Sequence, residues 1–499
     1  MPVVAVPEAV LFDRLGRRYK FDELCFQFGL ELDEVTSERE LVAREKGEDR
    51  AANCSSDKLY KVEVPANRYD ILCSEGLTRA LKVFNGDGCE GSDSVDRQTF
   101  GSYFLRLVDL QTQCVRPFVV AAILRNVTLT VARMDSLIDL QEKLHQNICR
   151  KRSLVAIGAH DLDTLKPPFV YDAKPPREIE FIPLNKTQAY TAEDLMQLYS
   201  TDPHLKPYLP IIQDKPCYPV ISDSNGIVLS MPPIINGEHS RVSVHTRNLF
   251  IEATGVDLHK TSVVLDTLVT MFSEYCDIPY SAEPVEVIQH DGSRHIFPRL
   301  EYRDEVVSVD YVNRLLGTQF SASEVVALLN RMGLITTSAI ENGRSKSDIE
   351  LGRKSSSPTI PSSSGLLSVR VPPTRYDILH ACDIVEDVAI AHGYDNIPEQ
   401  LPQTYCIARS QPINRLSDML RAEIAQAGFT EALSFSLCSR DDISSKLRRD
   451  LGELAVVHIS NPKTSDFQVS LESVLYTISR SLFSRCDSAA VVLVIKPMF

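Results

Sequence analysis

The sequence predicts an α+β multidomain protein in which two copies of a small helix/strand module flank a larger mixed domain, with a further α/β domain after the second copy. Three observations predict it. At 499 residues the chain exceeds what one hydrophobic core organises, so roughly three or four compact units are expected. The segment Val62-Glu-Val-Pro-Ala-Asn-Arg-Tyr-Asp-Ile-Leu72 recurs as Val369-Arg-Val-Pro-Pro-Thr-Arg-Tyr-Asp-Ile-Leu379, with eight of eleven positions identical. Between the copies, short apolar runs alternate with Pro, Gly, Asn and Asp turns. The implied units are residues 1–90, 105–280, 300–400 with an insert at 341–365, and 408–499.

Each module reads as helix, Gly-Leu stop, polar excursion, V-x-V-P strand, turn and second helix. Tyr19 to Phe28 followed by Gly29-Leu30 matches Ser323 to Met332 followed by Gly333-Leu334, both amphipathic patterns ending in a glycine stop. Ser321, three before Glu324, forms a capping-box pattern. The polar excursions are Glu38 to Asp57 and Glu341 to Gly365; the second carries Arg353-Lys-Ser-Ser-Ser-Pro358 and reads as a disordered loop. In the middle, Phe118 to Leu124, Leu154 to Gly158 and Gly226 to Leu229 read as short apolar, strand-like runs, and Leu265 to Tyr275 as a closing helix. After the second module, Asn414 to Ala427 reads as a helix stopped by Gly428, with a strand at Glu431 to Leu437.

Hydrophobic content of 43% and charged content of 24% are those of an ordinary globular protein. The first fifteen residues carry Glu8 and Asp13 and no basic cluster, which argues against a leader, and no apolar stretch approaches the roughly 18 residues of a membrane span. A cytoplasmic protein without membrane or DNA partners is expected. Twelve cysteines lie scattered with no C-x-x-C pair, so reduced, mostly buried thiols are expected rather than zinc or redox chemistry. A formal net charge of −14 argues against strong independent binding to a polyanion; RNA would be handled together with a partner.

Downstream of the second repeat lie Asp377, Asp383, Glu386 and Asp387, the last three at i, i+3 and i+4 on one helix face. By spacing alone this is a solvated acidic first turn complementing the helix dipole. Alternatively a hard cation such as Mg²⁺ sits among the carboxylates. The first copy has Gly76, Arg79 and Ala80 at the positions of Asp383, Glu386 and Asp387, so any metal function belongs to the second copy alone. The shared segment reads as folding: Pro limits the strand, while Arg, Tyr and Asp fix the turn and cap the helix.

Four segments carry a resemblance to a known family: Leu154-Val-Ala-Ile-Gly-Ala-His-Asp-Leu-Asp-Thr164, Pro183-Leu-Asn-Lys-Thr187, Met231-Pro-Pro-Ile-Ile-Asn-Gly-Glu-His-Ser-Arg241 and Thr246-Arg-Asn-Leu-Phe-Ile-Glu-Ala-Thr-Gly-Val-Asp257. They resemble the β subunit of archaeal and eukaryotic phenylalanyl-tRNA synthetase, and the likeness continues through Val369 to Pro398 and Asn461-Pro-Lys-Thr464. The resemblance implies a B1 domain, a B3/B4 editing domain, a B5 domain and a catalytic-like domain related to class II synthetases. It implies an α subunit that holds the ATP and phenylalanine site, an α2β2 heterotetramer, tRNA-Phe as substrate, and Mg²⁺ at Asp377, Asp383, Glu386 and Asp387. It further implies hydrolysis of tyrosine wrongly attached to tRNA-Phe, with pocket polar groups sought among Asp223, Asn236, Glu252, Thr254 and Asp257 and catalytic roles at Glu238 and His239. No Ser-His-Asp or Cys-His pattern is visible, and His239 is chosen by the intrinsic pKa of histidine. Beyond Gln468 the likeness decays, with Leu471 and Tyr476-Thr477 departing from the family, and the apolar run Val491 to Ile495 suggests a shortened catalytic-like domain. The alternatives are a scaffold or RNA-binding remnant that no longer edits, and a free-standing deacylase.

Overall fold

The computed structural model describes residues 2–46, 55–87, 96–97, 103–107, 112–289, 291–338, 365–401, 408–429, 437–453 and 456–470. The chain divides into two compact units, Met1–Glu399 and Gln400–Phe499.

The first unit opens with strand β1 (Val3–Pro7), helices α1 (Glu8–Leu15) and α2 (Phe21–Gln27), strand β2 (Glu31–Ser37), helix α3 (Glu38–Lys46), strand β3 (Lys58–Glu63) and helix α4 (Ser74–Phe84). The three strands form an antiparallel sheet in the order β1-β3-β2, so the V-x-V-P strand is central. The proline stands just beyond β3, where its missing N–H costs no ladder bond. Helix α3 corrects the reading of Glu38 onward as a polar excursion. Glu, Arg, Leu, Ala and Lys are good helix formers, and Ser37 Oγ accepts from Glu40 N at 3.2 Å to start the turn.

The middle of the unit is built on one mixed sheet. Its strands are β4 (Asp96–Arg97), β5 (Tyr103–Leu107), β6 (Phe118–Leu124), β7 (Val155–Asp161) and β8 (Phe169–Lys174), then, after the two-stranded pair β9 (Glu180–Phe181) and β10 (Tyr190–Thr191), β11 (Tyr218–Ser222), β12 (Val228–Met231), β13 (Ile235–Asn236), β14 (Leu249–Gly255), β15 (Ser281–Ile288) and β16 (Arg294–Phe297). The order is β13-β12-β11-β8-β5-β15-β6-β14-β7, with β16 and β4 on β15. Strands β6 and β14 read as near-continuous apolar runs because helices cover them: α8 (Leu258–Phe272) packs on both, and α6 (Val131–Gln146), which follows the short helix α5 (Thr112–Val115), packs on α8 and β7. Between them in the chain runs the short helix α7 (Ala192–Tyr199). Helix α8 starts seven residues before the predicted Leu265, because Asp257 caps it by accepting from Lys260 N at 3.1 Å.

The second module repeats the first. Strand β17 (Arg303–Ser308), helices α9 (Val309–Leu316) and α10 (Ala322–Arg331), strands β18 (Ile335–Ser338) and β19 (Leu366–Val371) and helix α11 (Ala381–His392) form an antiparallel sheet in the order β17-β19-β18, again with the V-x-V-P strand central. The capping box at Ser321 and Glu324 forms as predicted. Insert residues 341–364 lie outside the described residues.

The two modules pack on each other reciprocally. A Cβ on Gly29 would lie 3.6 Å from Ile390 of α11, and one on Gly333 would lie 3.9 Å from Val83 of α4; each pair holds equivalent positions of the repeat. Arg331 ties both helix ends, donating to Phe84 O at 3.2 Å and Ala391 O at 2.8 Å.

In the second unit, helix α12 (Pro412–Gln426) matches the predicted pattern within two residues at its start. A small sheet joins β20 (Leu437–Cys438), β22 (Val469–Ser470) and β21 (Val457–His458), with helix α13 (Arg440–Ile443) after β20. Residues 431–436 of the predicted strand, and everything after residue 470, lie outside the described residues.

Candidate functional site

A cavity of about 620 Å³ opens between α6, the edge of the middle sheet and the loops around β13. Its wall includes Gln141, His145, Arg152, Asn236, Ser240 and Glu252. Apolar neighbours such as Leu137, Ile157 and Ile234 alternate with these polar groups, giving a mixed wall around a volume that would admit a small molecule.

Glu252 is the group whose position is hardest to account for by folding alone. It sits in the middle of β14, whose seven residues are all buried, and is itself 1% exposed. Its cross-strand partners are Ala121 and Gly158, both small. A Cβ at position 158 would stand 2.2 Å from Glu252 Oε1 and 2.8 Å from His160 Nε2, so glycine is what lets the two polar groups converge there. Ser230 Oγ donates to Glu252 Oε1 at 2.9 Å, whereas Oε2 is buried with no partner among the described residues. His160 is fully buried beside it: its Nδ1 lies 2.8 Å from Ser240 Oγ, and its Nε2 stands 3.8 Å from Glu252 Oε1 without a hydrogen bond. Leaving a buried carboxylate oxygen and an imidazole nitrogen unsatisfied costs about 1–3 kcal/mol each, so the arrangement calls for a polar group to be supplied there.

Around this centre lie groups that sequence reasoning missed. His145 Nε2 accepts from Ile157 N at 3.1 Å, and burial pushes the ring toward the neutral form. Glu142, beside the His145 ring and 2.9 Å from an Arg152 nitrogen, is held down at about 2 by those two neighbours. Arg152 stacks over the Tyr208 ring at 4.3 Å. Arg116, 1% exposed, donates to Thr254 Oγ1 at 3.3 Å, Thr254 O at 2.8 Å and Arg152 O at 3.2 Å; burial pushes its pKa down. A lone carboxylate within Leu249-Phe-Ile-Glu-Ala-Thr-Gly255 and a histidine ending Val155-Ala-Ile-Gly-Ala-His160 were the available signals, since polar side chains seldom interrupt buried strands without reason.

Of the predicted pocket residues, the structure brings Asn236 and Glu252 to the cavity wall and places the others elsewhere. Thr254 lies two residues along β14, engaged by Arg116. Asp223 closes a turn, accepting from Asn225 N and Ile227 N at 2.9 Å each. Asp257 caps α8. Glu238 accepts from Asn185 N at 2.7 Å and pairs with Arg241, and His239 is exposed with Nε2 2.9 Å from Thr164 O. Neither belongs to the cavity wall; both fasten surface loops.

The carboxylate cluster is organised around an arginine. Arg375 donates Nε to Asp377 Oδ1 at 2.9 Å and a terminal nitrogen to Asp377 Oδ2 at 2.8 Å, and the same nitrogen reaches Asp387 at 2.8 Å. Burial works against the guanidinium charge, yet Asp387 and Asp377 hold its pKa above the ordinary value. Burial alone would raise the Asp377 carboxyl, but Arg375 holds it below its usual range; at the more deeply buried Asp387, burial prevails and pushes the carboxyl up. Asp383 Oδ2 accepts from Leu379 N at 2.8 Å and His380 N at 2.9 Å, closing the start of α11, and Glu386 is exposed. Among the described residues no group of three or more metal-ligating side chains comes together. With the inner pair neutralised by a guanidinium, the four residues do not fit a Mg²⁺ site in this arrangement. The shared Arg-x-Asp is the turn clamp anticipated from the repeat: Arg68 grips Asp70 at 2.9 and 2.8 Å in the same bidentate way. It does not extend to capping, since neither Asp70 nor Asp377 caps the helix that follows.

Family models place these sites in a known frame. The Phe-tRNA synthetase beta subunit B1 domain matches residues 1–87, the B3/4 domain 101–277, the tRNA synthetase B5 domain 306–394, and the phenylalanyl tRNA synthetase beta chain CLM domain 397–483. The chain is 52% identical to the human phenylalanine–tRNA ligase beta subunit over 478 residues, which are 95% of this chain and 77% of that protein. It is 48% identical to the Caenorhabditis elegans phenylalanine–tRNA ligase beta subunit, over 98% of this chain and 79% of that protein. An N-terminal fragment of the Pyrococcus horikoshii phenylalanyl-tRNA synthetase beta subunit superposes with a TM-score of 0.64 at 29% identity, covering 79% of this chain and all of the fragment. With half-identical relatives matched over most of their length and four family domains in order, the chain belongs to the phenylalanine–tRNA ligase beta subunit family.

Proposed function

We propose that the chain works as the β subunit of a phenylalanine–tRNA ligase, joining an α subunit in an α2β2 assembly that uses ATP and Mg²⁺ to attach phenylalanine to tRNA-Phe, and that its middle cavity hydrolyses tyrosine wrongly attached to that tRNA. Activation belongs to the α subunit, and residues 408–470 form part of a class II-like domain of structural rather than synthetic use. The observation that carries the editing reading is the buried carboxylate of Glu252, a residue of the cavity wall whose Oε2 has no partner among the described residues.

Tyrosine and phenylalanine differ by one hydroxyl. An apolar pocket alone separates such a pair weakly, whereas a buried acceptor left unpaired by the wrong ligand separates it strongly. A phenolic hydroxyl donating to Glu252 Oε2 satisfies that oxygen; a phenylalanine ring leaves the carboxylate desolvated and unpaired. Ser230 holds the carboxylate through Oε1, Gly158 leaves the room it occupies, and Asn236 offers a second polar contact at the wall. Glu238 and His239 are positioning groups in this reading, fixing the loops at Asn185 and Thr164.

The test is deacylation of Tyr-tRNA-Phe and Phe-tRNA-Phe by the enzyme coexpressed with its α subunit. Glu252→Gln should lower Tyr-tRNA-Phe hydrolysis at least about 100-fold while aminoacylation with phenylalanine persists, consistent with loss of a charge-assisted contact. Undiminished Tyr-tRNA-Phe hydrolysis by that variant would discard the pocket. Background hydrolysis by the unaltered complex, with normal aminoacylation, would favour a scaffold that no longer edits.

A further inference from the structure

Beyond the end of α6 the chain does something unusual: Arg150, Lys151 and Arg152 occupy the left-handed region in succession, with φ of 45°, 53° and 62°. Side chains with a Cβ are disfavoured there, and left-handed residues normally occur singly and as Gly or Asn. The turn is held by Lys151 N donating to His145 O at 2.7 Å, Leu154 N to Cys149 O at 3.1 Å and Ser153 Oγ to Arg150 O at 2.7 Å. A turn required only to reverse direction would be relieved by glycine. Three basic residues held there against their backbone preference mark a site rather than a connector.

The third residue, Arg152, points into the cavity wall and is consumed by Glu142 and Tyr208. The first two are exposed, and neither makes a side-chain hydrogen bond or ion pair among the described residues. Lys186, a third cation, lines the cavity, and its ammonium likewise has no side-chain partner among the described residues. The cavity's anions are engaged: Glu142 with Arg152, Asp202 with the backbone N–H groups of His204 and Leu205, Glu252 with Ser230. In a chain of net charge −14, two exposed cations without side-chain partners among the described residues, on a turn joined to the wall of a cavity that is to receive an aminoacyl ester, are out of keeping with the overall balance.

We propose that Arg150 and Lys151, with Lys186 at the wall, hold the phosphodiester backbone of the single-stranded 3′ end of the tRNA as it delivers its ester to the cavity. The left-handed turn aims two cations away from the protein while its last residue stays anchored by Glu142 and Tyr208. Such contacts carry no base specificity; they set register and feed the end of the strand inward. This rests on the editing reading of the cavity.

The experiment uses the complete enzyme with its α subunit and two substrates: Tyr-tRNA-Phe, and the tyrosyl ester of adenosine, which has the ester but no phosphate. Arg150→Gln together with Lys151→Gln should raise KM for Tyr-tRNA-Phe about 10-fold at moderate salt and leave kcat unchanged. The double change should also lower the salt slope of KM by about 1.4, roughly 0.7 for each single-strand phosphate no longer neutralised by a cation. Hydrolysis of tyrosyl adenosine should stay at the unaltered rate. The charge-keeping pair Arg150→Lys with Lys151→Arg should restore the KM. Lys151→Gly separates loss of the cation from loss of stability: it relieves the backbone and raises the melting temperature, yet by removing the ammonium still raises KM. An unchanged KM and salt slope in the Gln double variant, with tyrosyl adenosine still hydrolysed, overturns the proposal and leaves the cavity reading intact. Failure of the unaltered enzyme to hydrolyse either substrate removes both.

Discussion

The two repeats share a fold, a central strand and a bidentate Arg-x-Asp turn, yet their second helices face different surroundings. In the first copy, α4 is a wedge. Arg79 reaches Glu274 at 2.8 Å and Thr270 O at 3.1 Å, and Glu75 accepts from Tyr275 at 2.7 Å and Ser136 at 2.6 Å, so the helix is welded to the middle sheet's helices. In the second copy, the positions of Glu75 and Arg79 are Cys382 and Glu386, both exposed, and the charge has moved inward to Asp387, which shares Arg375 with Asp377. At the position of Gly76, where a Cβ would strike Asp70 O at 1.7 Å, the second copy carries Asp383 as the closing group of α11. One scaffold thus serves as an internal joint in one place and as a surface-bearing module in the other, and the residues that differ are those that decide which.

This contrast can be broken experimentally. Arg375→Met should be the most damaging change, about 3–5 kcal/mol by chemical denaturation, because it strands two carboxylates in a buried site. Arg68→Met, which strands only Asp70, should cost less; equal losses would mean that Asp387 contributes nothing to the clamp. Next, Gly76→Ala should cost about 3 kcal/mol or more in the melting of the chain, against about 1 kcal/mol for Asp383→Ala at the equivalent position. Arg79→Ala should lose about 1–2 kcal/mol by leaving Glu274 with Arg14 alone, while Glu386→Ala should stay within about 0.5 kcal/mol. Smallest of all, chelating divalent ions should leave the melting temperature unmoved if Arg375 is the internal counter-ion. A rise on adding Mg²⁺ that Asp383→Ala with Glu386→Ala abolishes would reinstate a metal at α11.

The repeat was legible because eight identities in eleven encode a strand, a turn and a clamp that are local in sequence. The carboxylate cluster was legible as a pattern but not as an interaction. Helical spacing shows that Asp383, Glu386 and Asp387 share a face; it does not show that Arg375, twelve residues before Asp387, folds back to take it. The cavity behaved likewise. Glu252 and Asn236 line the cavity, whereas Glu238 and His239, chosen for side-chain type, stand on loops outside its wall, where residues of that type often serve turns. His160, Ser240 and Gly158 come together only through the register of β7 with β14 and a return from residue 240, which spacing does not encode.

The reciprocal packing of Gly29 on Ile390 and Gly333 on Val83 has the form of an isologous dimer interface, the kind two identical subunits make across a two-fold axis. Here both halves lie on one chain. A tether makes the association intramolecular, so it survives dilution that would separate free subunits. It also lifts symmetry's constraint on change: in a true dimer every substitution appears twice, whereas here Arg79 and Glu386 answer to different neighbours while the seam between the copies is kept.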